Sequence, residues 1–270
     1  MPPAFAAPVD AAPVAQDGRI LTGEVTRLLM LDELVSVMSQ EAVAQASEDL
    51  GAIPPDQQTA WRANIARIND PDRLSRLMAI ELPVALGRVD PAQIRKALLF
   101  YHTDLGKRVV QLELSARLAM IAPDARDAAM EAAEQAAETG NLRLERIDRI
   151  MAVTDVVDAN VAGSLNAIIA SSRGFADVSE IEVPVEDMTS EAWAQEPEIR
   201  DNITRWVQAM LYLAYSPLSE AELEDLTTFV GSREASALAD ALGAAFDGIF
   251  ARIAYETGVM SAGQLAEADL

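Results

Sequence analysis

The chain is 270 residues long, half of them apolar, and carries a formal net charge of −22. A surplus of acid on that scale excludes nucleic acid as a partner, because binding a phosphate backbone depends on neutralising it with Lys and Arg; it also opposes adsorption to an anionic membrane. No cysteine occurs, so disulfides, thiol catalysis and thiolate metal sites are excluded as well.

Length suffices for one large domain or two modest ones, and apolar content for a packed core. Aromatic residues make up 5% while Ala, Leu and Val abound, a balance that favours helix over sheet. No run of about 18 apolar residues exists, so no transmembrane segment is expected. Residues 1–20 read as a disordered arm. Within it, Ala4-Phe5-Ala6 followed by Ala7 resembles a secretory cleavage site, without the basic and apolar regions that should precede one. Two readings stand: a signal-peptide remnant on a periplasmic or secreted protein, or a plain Ala/Pro-rich arm on a cytoplasmic one.

Helix punctuation then recurs along the chain. Asp32 is expected to cap a helix over about 33–50, with Leu34, Val35, Met38, Ala42, Ala46 and Leu50 as its stripe. Pro54-Pro55-Asp56 opens a helix over 57–68; Asp70-Pro71 opens one over 71–87, kinked by Pro83. Asp90-Pro91 repeats that start signal for 91–101, and Thr103 caps 104–121. An acidic, Ala-rich helix runs from Pro123 to near Gly140. Further helices are expected at 142–152, 155–172, 198–215, 220–230 and 233–257. Residues 174–198 hold eight acids, no base and two prolines, and read as a solvated loop.

The two halves align. Arg27 through Val35 sits over Arg149 through Val157, matching a basic residue, the apolar positions and an acidic first-turn residue. Later, Val89 sits over Leu218, Asp90 over Ser219, Ile94 over Leu223, Phe100 over Phe229 and Thr103 over Ser232. The expected fold is therefore all-α, a bundle of about 10–12 helices built from two diverged multi-helix repeats packed together. Repeat 1 covers 21–122, a connecting acidic helix 123–140, repeat 2 141–258 with the acidic loop 174–198, and a tail 259–270.

Residues 89–117 carry a second pattern: a helix with an acidic start ending in Phe100-Tyr101, a cap at Thr103 and a glycine at Gly106. This resembles the bacterial family called domain of unknown function 2059. Asp104 stands where that family usually has Pro, and the second copy is degenerate, with Val230 and Ala235 at the Tyr and Gly positions. The resemblance implies an all-α, exported protein and no activity. The same four residues also have a structural reading. Phe100 and Tyr101 pack into the core, Thr103 caps the next helix, and Gly106 admits a neighbouring helix.

Few residues suggest chemistry. His102 is the only histidine, so a His-built metal site is excluded and a serine triad lacks its elbow motif; at a helix end it completes the dipole. No phosphate-cradling glycine loop and no calcium loop is present, and neither a metal nor another cofactor is assigned. Glu81 falls on an apolar stripe between Leu77 and Ala85, where a carboxylate must be paired, protonated or water-lined; Arg73 and Arg88 are its expected partners. Asn160 is a second polar intrusion, aligned with Met38. Either marks a structural pair or a ligand-lined cleft between repeats. The leading expectation is an exported, non-enzymatic module binding a partner protein or an apolar ligand between its halves. The alternatives are a carboxylate-dependent envelope hydrolase using Glu81 and a cytoplasmic scaffold.

Overall fold

A computed structural model describes residues 11–179 and 183–268. Among the described residues the protein is all-α, with thirteen α-helices, one short 3-10 turn and no strand. In chain order these are α1 (Ala11–Leu28), α2 (Leu31–Glu48), the 3-10 turn (Asp49–Ala52), α3 (Gln58–Ile68), α4 (Pro71–Leu86), α5 (Pro91–His102) and α6 (Asp104–Ala119). The rest are α7 (Pro123–Glu138), α8 (Leu142–Val153), α9 (Val156–Ser179), α10 (Val185–Ala194), α11 (Glu196–Tyr215), α12 (Glu220–Val230) and α13 (Arg233–Ala268).

The boundaries follow from side chains that satisfy the orphan groups of helix ends. Asp70 accepts from the Arg73 amide at 2.8 Å, Asp90 from Ala92 at 2.9 Å and Asn141 from Arg143 at 2.9 Å. Ser219 and Glu222 form a reciprocal capping box at the start of α12. At the end of α7, Gly140 takes the left-handed φ of 63° that glycine adopts without cost. The amides of Gly140 and Asn141 then close back onto the carbonyls of Ala137 and Ala136.

Several expectations are corrected. Asp32 does not cap α2 but lies in its first turn; the residue before the helix is Met30, at a φ of 51°. Residues 11–20, read as part of a disordered arm, belong to α1, while 1–10, with Ala4 to Ala7, lie outside the described residues. The acidic loop 174–198 is not a loop: α9 continues to Ser179, α10 occupies 185–194 and α11 starts at Glu196. Acidic residues at the starts of α10 and α11 face the positive ends of those helices, which favours helix there. Residues 259–268 are no tail but the last turns of α13.

Two large cores form, and each borrows a helix from across the connector α7. The first contains Val25 (α1), Val35 (α2), Leu82 (α4), Ile94 (α5), and Leu238 and Ile249 from α13. The second contains Val109 and Ala116 from α6 together with Ile147 (α8), Leu211 (α11) and Leu223 (α12). A fully buried side chain such as Leu82 or Ile94 contributes roughly 1.5–3 kcal/mol, so α6 and α13, each packed into the core on the far side of α7, tie the two cores into one unit. Phe100 and Phe229 meet between the cores, stacked at 3.9 Å with an interplanar angle of 9°.

Helices α9 and α13 approach each other closely. A Cβ placed on Gly258 would lie 1.9 Å from the Ser171 carbonyl oxygen, and one on Gly174 would lie 2.1 Å from that of Tyr255. The two backbones touch directly through these glycines. That contact carries α13 past the N-terminal core and along the length of α9.

Candidate functional site

Where α13 runs beside α9, the packing leaves a cleft. It has a volume of about 790 Å³ and is bounded by α2, the end of α6, α9 and α13. Its walls follow from the residues placed there. Ala159, Ala162, Gly163 and Ala167 of α9 face Ala239, Gly243 and Ala244 of α13. Side chains this small leave the space between the two helices unfilled here. A Cβ on Gly243 would meet nothing within 4 Å.

The floor is apolar. Leu34, Met38, Phe246, Phe250 and Ile253 line it, and the two phenylalanine rings stack at 6.0 Å. Phe250 remains 37% exposed, unusual for a phenylalanine on a core helix. A smaller cavity of about 220 Å³ between α2, α4 and α13 shares Met38, Phe246, Phe250 and Ile253 with the cleft and extends its floor inward.

The rim is polar and unevenly charged. Arg117, the only basic residue among those lining the cleft, is already engaged. Its Nε donates to both Glu41 oxygens at 2.8 and 2.9 Å, and its guanidinium lies 5.5 Å from the Trp206 ring. Asp240 and Asp247 are both exposed and have no hydrogen-bond or ion-pair partner among the described residues. Partial desolvation pushes the Asp247 carboxyl above its usual range, and that carboxyl lies against Gly163 of α9.

The residues singled out by sequence are scattered. Asn160 lines the cleft, but it is exposed rather than buried and donates to the Val156 carbonyl at 2.7 Å. Glu81 does not line the cleft; it is half-buried on α4 with its carboxyl against Gly248 of α13. Neither expected arginine pairs with it: Arg73 donates to Glu256 and to the Ile68 carbonyl, and Arg88 lies exposed. Thr103 accepts from the Gly106 amide at 3.0 Å and donates to the Phe100 carbonyl at 2.6 Å. Gly106 lies against the backbone at the end of the neighbouring helix α5, where a Cβ would lie 2.1 Å from the Phe100 oxygen. His102 lies 2.7 Å from Glu24, linking α5 to α1.

One polar cluster escaped sequence reasoning. The Tyr215 hydroxyl of α11 donates to the Glu113 carboxyl of α6, with Tyr101 of α5 close by. Burial raises the Glu113 carboxyl, and it raises both phenols, which the Glu113 charge raises further. Glu113 looked like any surface acid in the sequence, because its burial depends on α11, about 100 residues downstream. The cluster joins the cores and does not line the cleft.

Among the described residues, no group of three or more His, Asp or Glu side chains is placed to hold a metal ion, and no helix is long and apolar enough to cross a membrane. Compared with known proteins, the chain matches no family model, no curated protein and no solved structure.

Proposed function

We propose that this protein is a non-enzymatic binding protein that accepts an apolar small molecule in the cleft between α2, α9 and α13. The observation that carries this reading is the cleft itself: about 790 Å³ of space floored by Phe246, Phe250, Leu34 and Met38. Pockets for small ligands run about 300–1,000 Å³ and are mostly apolar with a few polar groups at the edge. Export to the periplasm belongs to the same proposal; it rests on Ala4 to Ala7 and on the family resemblance of residues 89–117.

Gly243→Leu tests the reading. The new side chain projects into open space, so the fold and Tm should hold while the cleft fills. Titration with an uncharged fluorescent naphthylamine should give saturable one-to-one binding to the wild type, weakened at least about tenfold in the variant. Equal binding by both proteins, or none by the wild type, would reject the cleft as the site.

The same reading includes an internal duplication, six helices on either side of α7. It is supported by the order of elements, by Phe100 stacking on its aligned counterpart Phe229, and by the reciprocal placing of α6 and α13. In such an arrangement the cleft arises at the junction because the two copies have diverged. Met38 and Arg117 reach it from one side, and Gly163 and Phe246 from the other.

A further inference from the structure

We propose that the molecule taken up by this cleft carries a positive charge: a small amphiphile with an apolar chain and an amine or quaternary ammonium head. The inference rests on the cleft being the ligand site and adds the chemistry of the ligand.

Three observations meet on one face of α13. Asp240 and Asp247 are seven residues apart, two helical turns, so they point the same way. Both line the cleft, and neither has a partner among the described residues. Between and beside them stand Phe246 and Phe250, whose ring faces attract a cation held within about 6 Å. The opposite sign is provided for already. Arg117 is held by Glu41 in a two-oxygen contact, and no other base lines the cleft, so an anionic head would meet two carboxylates and no free donor of charge. An uncharged ligand would leave Asp247 desolvated with nothing to offset the loss, whereas a cation compensates it. Partial desolvation already raises the Asp247 carboxyl, which is exposed and so open to an incoming charge.

The test uses three amphiphiles with the same twelve-carbon tail, dodecyltrimethylammonium, dodecyl maltoside and dodecyl sulfate. Each is titrated calorimetrically below its micelle concentration into the full chain, at an ionic strength where screening reaches about 8 Å. The cationic member should bind at least about tenfold tighter than the neutral one, and the anionic member weakest. Asp240→Asn with Asp247→Asn should lower cation affinity to that of the neutral member while leaving the neutral member unchanged. Because a chain of charge −22 attracts cations everywhere, the control is Glu224→Gln with Asp225→Asn, exposed acids on α12 that change net charge equally. The control should keep the preference. Equal binding of cation and neutral, or equal loss in both double variants, overturns the cationic ligand while leaving the cleft in place. Failure of all three to bind, or their indifference to Gly243→Leu, overturns the cleft reading itself.

Discussion

Replacing Gly258 by alanine sets two opposed effects against each other at one atom. In an ordinary helix interior the change stabilises by about 0.5–1 kcal/mol, because glycine loses more backbone freedom on folding than alanine does. Here the added Cβ would sit 1.9 Å from the Ser171 oxygen, 2.8 Å from its carbon and 2.9 Å from the Phe175 nitrogen. All three are backbone atoms, so no side chain can swing aside. Ordinary contact begins near 3.4 Å, so α9 and α13 must separate by about 1.5 Å at this point. Overpacking of that kind costs about 1–3 kcal/mol and outweighs the propensity gain. For a domain of this size each kcal/mol lowers Tm by roughly 2–4 °C. Thermal unfolding followed by circular dichroism should show Gly258→Ala melting several degrees below the wild type, and Gly174→Ala likewise. Gly23→Ala in α1, where a Cβ meets nothing within 4 Å, should melt slightly higher. If Gly258→Ala also raises Tm, helix propensity has decided the outcome, and α9 and α13 do not touch through their backbones.

Other consequences are as direct. Glu113→Gln keeps an acceptor for the Tyr215 hydroxyl and removes the titration. Because burial raises the folded carboxyl above its ordinary 4.5, the stability it contributes is full below that value and is lost as pH rises through the folded pKa. The variant should therefore gain stability relative to the wild type on going from pH 4 to pH 8; a difference independent of pH would contradict the burial. Thr103→Ala removes the bond to the Gly106 amide and should cost about 1 kcal/mol in denaturant unfolding, with Thr103→Ser recovering most of it. Separately expressed fragments 11–122 and 123–268 each lack the helix that closes one of their cores. Neither should unfold cooperatively alone, and mixing should restore a cooperative transition; a fragment that melts sharply by itself would contradict the packing of α6 and α13 into the cores across α7.

Residues within a turn or two of each other determined most of the helices. Asp70, Asp90, Thr103, Asn141 and Ser219 cap them through bonds spanning two or three residues, so their effect can be read from the chain alone. Apolar spacing likewise marked the faces that became core, as at Leu74, Leu77 and Met78 or at Leu238 and Ile249. Charge and composition misled at 174–198, where acids that suggested a loop start two helices instead. The helices expected over 155–172 and 233–257 stop short of Gly174 and Gly258, yet both glycines lie inside α9 and α13. Their purpose is visible only when the partner backbone is in place.

Tertiary structure alone decided what surrounds each acid. Glu81 lies on the stripe that implied a buried pair, but the arginine one would assign to it reaches Glu256 on α13 instead. Glu113, Asp240 and Asp247 looked like three more among the 43 acids of the chain. One is enclosed by a tyrosine about 100 residues away, and two are placed on a cleft by the crossing of α9 and α13. A side chain's local pattern determines the helix it joins. Its solvation, and so its chemistry, depends on helices distant in sequence that pack against it.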